Sequence, residues 1–366
     1  MAIYTKEEAI KILEKALSFS KADICEINLS GSNSGNIRYA RNTVSTSGYS
    51  SNQTLAVQSS FGKKSGTATI DEFDDASLEK VVRRAEELAQ FSPENPEFME
   101  PLGPQTYSES ISYNEATSNV SPEYRAEVAK SSIDPAAAKD VTAAGYFNDS
   151  DGFRAMINSK GLFAYNRSTN TDFTVTMRTN DGTGSGWVSR DFNDISKFDA
   201  AEASRVAIDK AVMSREAKAI EPGKYTVILE PAAASDLLQN MFRSFDTRSA
   251  DEGRSFMSMP NGGNKLGQKI VDERVSFWTD PLDPNVPTAT WNGEGQPLQK
   301  RVFIENGVVK NLACSRYWAE KKGVDPIPFP SNGIMAGGDA SLEDLIKSTK
   351  KGILVTRLWY IRSVDP

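Results

Sequence analysis

The chain has 366 residues, 39% hydrophobic and 25% charged, the proportions of an ordinary packed protein and enough length for two domains. A net charge of −7 and the lack of any clustered basic stretch disfavour direct nucleic-acid binding, which draws affinity from Lys and Arg set against phosphates. Histidine is absent altogether; this excludes Ser-His-Asp triads, Cys-His dyads and every His-based zinc site, so chemistry in this chain alone must use carboxylates, Lys, Tyr, Ser or backbone amides.

In chain order, Thr5 and Glu8 form a capping box ahead of a helix whose stripe is Ala9, Ile10, Leu13, Ala16 and Leu17. From Ala22 to Ile70 the period drops towards two, which predicts strands over Asp23–Leu29, Asn36–Ala40, Gln53–Gln58 and Ser65–Ile70. Asp75 is expected to cap the next helix, with the stripe Leu78, Val81, Val82, Ala85, Leu88 and Ala89. Pro93, Pro96, Pro101 and Pro104 make 92–107 an extended crossing segment. A helix near Pro122–Ser132 follows. Hairpin-like strands are then expected around Ala143–Phe147, Phe153–Asn158, Leu162–Asn166, Phe173–Arg178 and Gly186–Arg190, with a helix over Ala200–Met213.

Glu221-Pro222-Gly223 marks the expected domain boundary, which divides the chain into 1–220 and 221–366. Beyond it come a strand at Tyr225–Leu229 and a helix from Ala233 to Arg243. Short strands are expected at Val275–Trp278, Arg301–Glu305, Val308–Cys314 and Ile353–Arg362, with Asn306-Gly307 as a hairpin turn. The expected fold class is α+β: an N-terminal α/β domain with an antiparallel sheet and packed helices, then a mostly antiparallel β C-terminal domain.

No run approaches the ~18 apolar residues of a membrane span, and no basic-then-apolar leader opens the chain. Cys25 and Cys314 stand far apart, as buried thiols of a reducing, cytoplasmic setting would. The glycines of Asp181-Gly182-Thr183-Gly184-Ser185-Gly186 fall between two expected strands, the context of a hairpin tip; a dinucleotide fingerprint needs strand and helix. Asn148-Asp149-Ser150-Asp151-Gly152 resembles a calcium loop only superficially, since Phe147 and Asn158 occupy its end positions; a turn is expected. Asn292-Gly293-Glu294-Gly295 is accounted for by turn chemistry, with Glu294 as a lone candidate carboxylate. Taken singly, these motifs reveal no active site.

Several stretches taken in order carry more. They are Ala22-Asp23-Ile24-Cys25-Glu26, Ile37-Arg38-Tyr39-Ala40-Arg41-Asn42, Gly62-Lys63-Lys64-Ser65-Gly66-Thr67-Ala68 and Asn158-Ser159-Lys160-Gly161, then Tyr225-Thr226-Val227-Ile228-Leu229, Gly293-Glu294-Gly295, Ile304-Glu305-Asn306-Gly307 and Gly352-Ile353-Leu354-Val355. Their shared order across nearly the whole chain resembles the TldD/PmbA family, a peptidase pair described in older usage as modulators of DNA gyrase. In TldD-type members a His-Glu-x-x-x-His helix follows the first strand of the second domain; two His hold zinc, and the Glu acts as base to the metal-bound water. Counted without gaps, the two His positions are Gln239 and Ser244 here and the base position is Asn240, residues that neither ligate zinc well nor accept the proton. The resemblance also implies a third ligand, a Cys, in strands beyond Pro366.

The resemblance is therefore to the PmbA half, also called TldE. It implies no catalytic residue and no cofactor in this chain, zinc in a TldD-type partner, a heterodimer with that homologue or a homodimer, and unfolded or modified peptides as substrates. Asn332 and Arg357, in family-like C-terminal loops, are candidates for contacting them. A second reading is a stand-alone peptide- or protein-binding regulator of the gyrase-modulator type; a third is a histidine-free hydrolase built on paired carboxylates in a cleft.

Overall fold

The computed structural model describes residues 3–362; Met1, Ala2 and residues 363–366, among them Pro366, lie outside the described residues. Helix α1 (Lys6–Ser18) starts at the expected box, with the Glu8 N–H donating to Thr5 Oγ1 at 3.2 Å and the Thr5 N–H to Glu8 Oε2 at 2.8 Å. Strands β1 (Ile24–Ala40), β2 (Thr43–Phe61) and β3 (Lys64–Ile70) follow, then helices α2 (Asp75–Phe91), α3 (Glu115–Ser118) and α4 (Pro122–Ala137). Next come β4 (Val141–Asn158), β5 (Phe163–Thr179), β6 (Ser185–Phe192) and α5 (Ala200–Met213). The strands form one antiparallel six-stranded sheet in the order β3-β2-β1-β4-β5-β6.

Period-two alternation explains how the sheet is covered. Odd-numbered residues such as Ile27, Leu29, Leu55 and Val57 pack on α1 and α2. Farther along the same face Phe147, Phe173, Val175 and Met177 pack on α4 and α5. The opposite face carries even-numbered residues, among them Ser30, Ser32, Arg154, Asn166 and Ser168, and borders the C-terminal half.

Several local expectations change. The α2 cap is Asp74, whose carboxylate accepts from the Ala76 and Ser77 N–H groups. The separate short strands merge into β1, β2, β4 and β5, each of 17 to 19 residues. The 148–152 stretch is not a turn. It runs through the middle of β4, with Asn148 to Gly152 paired to Asn36 to Ser32 on one side and to Asp172 to Ser168 on the other. Its acids are buried because each has a partner: Asp149 takes a two-pronged bond from Arg125 (2.6 and 2.8 Å), and Asp151 one from Arg167 (3.1 and 2.6 Å). The glycines at 182–186 do form a hairpin tip, and Gly182 has φ +76°.

The C-terminal half contains β7 (Thr226–Leu229), α6 (Pro231–Phe242), α7 (Thr247–Asp251), β8 (Phe277–Thr279), β9 (Arg301–Glu305), β10 (Val308–Val309), α8 (Arg316–Lys322), β11 (Ile334–Met335), α9 (Leu342–Ser348) and β12 (Gly352–Val355). An antiparallel sheet β10-β9-β8-β11 and a parallel pair β12-β7 hold it. The strand expected over Val308–Cys314 ends after Val309, and the one over Ile353–Arg362 ends at Val355. Asn306 and Gly307 make the predicted turn with φ of 49° and 78°. Phe242, Phe245, Phe277 and Phe303 fill its core, with the Phe242 and Phe277 rings 3.8 Å apart. Among the described residues no helix is long and apolar enough to cross a membrane.

Candidate functional site

The polar face of the large sheet and the loops at 285–289 and 331–332 enclose a cleft of about 840 Å³. Hydroxyls and amides are numerous in its walls, with Ser30, Ser32, Asn52 and Thr54 from β1 and β2, Asn166, Ser168 and Asn170 from β5, and Asn193 beyond β6, and apolar surface from Phe153, Phe192, Val286 and Pro287 lies among them. The Oδ1 atoms of Asn166 and Asn193 are buried and have no hydrogen-bond partner among the described residues. An unmet acceptor is costly to bury; the hydroxyls and amides that do face the cleft can both donate to and accept from a polar guest. At one end Arg154 stacks over Trp291, 4.2 Å from its ring centroid, and donates to the Trp291 carbonyl at 2.5 Å, fixing the C-terminal half against the sheet. Burial pushes the Arg154 pKa down from its ordinary value.

On the far side of Asn332 lies an apolar cavity of about 780 Å³. Leu229, Pro231, Leu238, Phe242, Phe277 and Phe329 are among its apolar lining, and Ser235, Gln239, Arg243, Ser331 and Asn332 bring polar atoms. Here α6 shows what stands at the metal positions. Gln239 Nε2 donates to Ser235 Oγ at 3.2 Å, and Asn240 Nδ2 donates back along the helix to the Asp236 carbonyl at 2.8 Å. Ser244 lies past the helix end, where its N–H bonds the Met241 carbonyl. Two amides engaged with their own helix and a hydroxyl outside it do not fit a zinc that needs imidazole, thiolate or carboxylate. Among the described residues no group of three or more Cys, Asp or Glu could hold a metal ion.

The two C-terminal candidates part company. Asn332 sits in the wall shared by the cleft and the cavity. Its Nδ2 donates to the Asp280 and Val286 carbonyls (2.7 and 2.6 Å), and its Oδ1 accepts from the Asp280 N–H and Thr279 Oγ1 (2.9 and 2.8 Å). A fully engaged amide shapes the wall. Arg357 is elsewhere, its guanidinium 4.9 Å from the Trp187 ring on β6.

A third recess, of about 460 Å³, brings Glu26 of β1 together with Glu294 and Arg316. Burial pushes the Glu26 carboxyl up, Glu294 pushes it the same way, and Asn28 and Arg316 oppose them. The sequence singled out Glu294 but not Glu26, because only the docking of the two halves makes them neighbours. The Arg154–Trp291 clamp and Asn166 were missed as well; the alternation along β4 and β5 was the signal that could have placed them on the cleft face.

A long antiparallel sheet with helices on one face, joined through a cleft to a short-stranded β-rich half whose first strand leads into α6, defines a two-part α+β scaffold. The chain belongs to the PmbA/TldD metallopeptidase family: the models for PmbA/TldA metallopeptidase domain 1, central domain and C-terminal domain match residues 25–89, 115–215 and 222–366. Its fold is similar to that of TldE from Thermococcus kodakarensis, with a TM-score of 0.84, 21% identity, and coverage of 95% of this chain and 82% of that one. A candidate modulator of a DNA gyrase from Thermotoga maritima matches with a TM-score of 0.84 at 20% identity, over 95% of this chain and 82% of that one. A Methanothermobacter thermautotrophicus protein named as a metalloprotease is 24% identical over 224 residues, 56% of this chain and 48% of its own length. The chain thus spans about half the length of the curated relatives it matches.

Proposed function

We propose that this chain is the PmbA/TldE-type half of a TldD/PmbA-type metallopeptidase complex. It forms a wall of the substrate chamber, while a TldD-type homologue supplies the zinc and the hydrolytic step. The observation that carries this reading is α6: it keeps its place after the first strand of the C-terminal half, yet presents the amides of Gln239 and Asn240 where the catalytic relatives need ligand and base. The 840 Å³ cleft supports the substrate class. An unfolded peptide offers main-chain N–H donors along its whole length, and a hydroxyl- and amide-lined wall can meet them without selecting side chains.

The chain itself then takes up no zinc. Elemental analysis of the purified protein at neutral pH should find well below one zinc per chain, unchanged after dialysis against a chelator. One tightly held, chelator-removable zinc per chain would overturn the proposal, since it would demand a site made from Cys and carboxylates alone.

A further inference from the structure

A guanidinium withdrawn from water ordinarily sits against an acid, because desolvating a lone charge is costly. Arg125 and Arg167 obey this, each gripping an aspartate of β4. Arg154 does not. It is the one cation in the wall of the 840 Å³ cleft, and no acid stands within ion-pair reach of it among the described residues. A guanidinium carries five N–H donors, and Arg154 makes one hydrogen bond, to the Trp291 carbonyl. Burial alone sets its pKa, pushing it down with no neighbouring charge to oppose. Ser30 of β1 and Asn166 of β5 lie opposite it, so a hydroxyl and an amide flank it.

The cleft is blind at this end. One pleat beyond Arg154, on the same face, come Met156 of β4 and its partner Ala164 of β5. They are buried with Leu162 and Trp291 in an apolar plug, packed so closely that a Cβ on Gly295 would stand 2.6 Å from Leu162 Cδ1. The other end is open. There Asp191, the one carboxylate in the cleft wall, is exposed. Arg154 pairs with Asn166 and Asp191 with Asp172, six residues farther along β5, which is about 20 Å at the rise of a strand. We propose that the blind end is a carboxylate seat: Arg154 takes the free C-terminal carboxylate of a peptide laid along the cleft, whose body runs out towards Asp191. The plug stops a chain that would continue past Arg154, so a terminus fits and an internal segment does not. Charge sets the direction. The guanidinium would repel an N-terminal ammonium, whereas a carboxylate can accept from two N–H groups of the fork at once. The seat deepens the peptide-wall reading and rests on it, narrowing the guests to peptides that present a free C-terminus.

Fluorescence anisotropy on the full chain tests it, with a nonapeptide of Ala, Ser and Thr labelled at its N-terminus, which the open end leaves clear. The free acid should bind at least about tenfold tighter than the C-terminal amide, the worth of a hydrogen bond to a charged group. An amide carrying an internal Glu should bind no better than the neutral amide. Ser30→Asp sets a carboxylate opposite Arg154 from within the sheet and should erase the preference for the free acid. Arg154→Gln should do the same with an unchanged circular dichroism spectrum. Ser30 is exposed, so its variant decides the matter even if losing Arg154 loosens the join between the halves. Equal binding of acid and amide, a Glu-bearing amide that matches the free acid, a preference that survives Ser30→Asp, or no binding of either peptide overturns the seat. Equal binding would leave the peptide wall standing. Co-elution with a metal-bearing homologue does not depend on the peptide's terminus, so the partner role is judged separately.

Discussion

Asp149→Ala should destabilise the protein by about 3–5 kcal/mol, the range for breaking one side of a buried ion pair. Arg125 and Asp149 are 5% and 6% exposed, so the guanidinium left behind could not reach water. The pair is set into the sheet. Asp149 lies opposite Gly35 of β1, and a Cβ at Gly35 would stand 1.9 Å from Arg125 Nη2. The glycine leaves the room that the guanidinium fills, and the Asp149 bonds push the Arg125 pKa up from its ordinary value. Gly35→Ala should therefore destabilise in the same direction, by displacing Arg125 from its acid. Urea unfolding of the three proteins, followed by circular dichroism, measures both effects.

Trp291→Ala should also cost about 3–5 kcal/mol, as large-to-small changes at buried aromatic sites do, and should loosen the join between the two halves more than either half itself. Trp291 is 2% exposed and packs with Met156, Leu162 and Ala164 of the sheet side and with Leu102 and Tyr107 of the crossing segment. The Arg154 guanidinium loses its aromatic partner at the same time. Limited proteolysis should then cut within residues 280–298 sooner than in the wild type. Trp291→Phe, which keeps most of the volume, should restore most of the resistance.

The α+β class and most elements were legible because apolar residues recur at the spacing of helices and strands. What period and turn chemistry could not supply was the length of the strands. Asn148-Asp149-Ser150-Asp151-Gly152 reads as a turn locally, and only Arg125 and Arg167, distant in sequence, make two acids tolerable inside β4. Residues 43–50 lack an apolar face for a related reason: both faces of that hairpin end are open to solvent, so no alternation announces the strand. The site was legible only through the family resemblance. Gln239, Asn240 and Ser244 were findable by counting from the β7 sequence, whereas the polar cleft draws its walls from residues 30 to 332 and has no local signature. Glu26 and Glu294 likewise meet only once the halves dock.

The most direct test of the partner role is reconstitution: this chain, its metal-bearing homologue from the same organism, and an unstructured peptide, assayed separately and together with and without a chelator. The account predicts no cleavage by this chain alone, little by the homologue alone, and chelator-sensitive cleavage once both are present and co-elute as one complex. Cleavage by the homologue at the same rate with and without this chain, or by this chain alone in the presence of chelator, would contradict it.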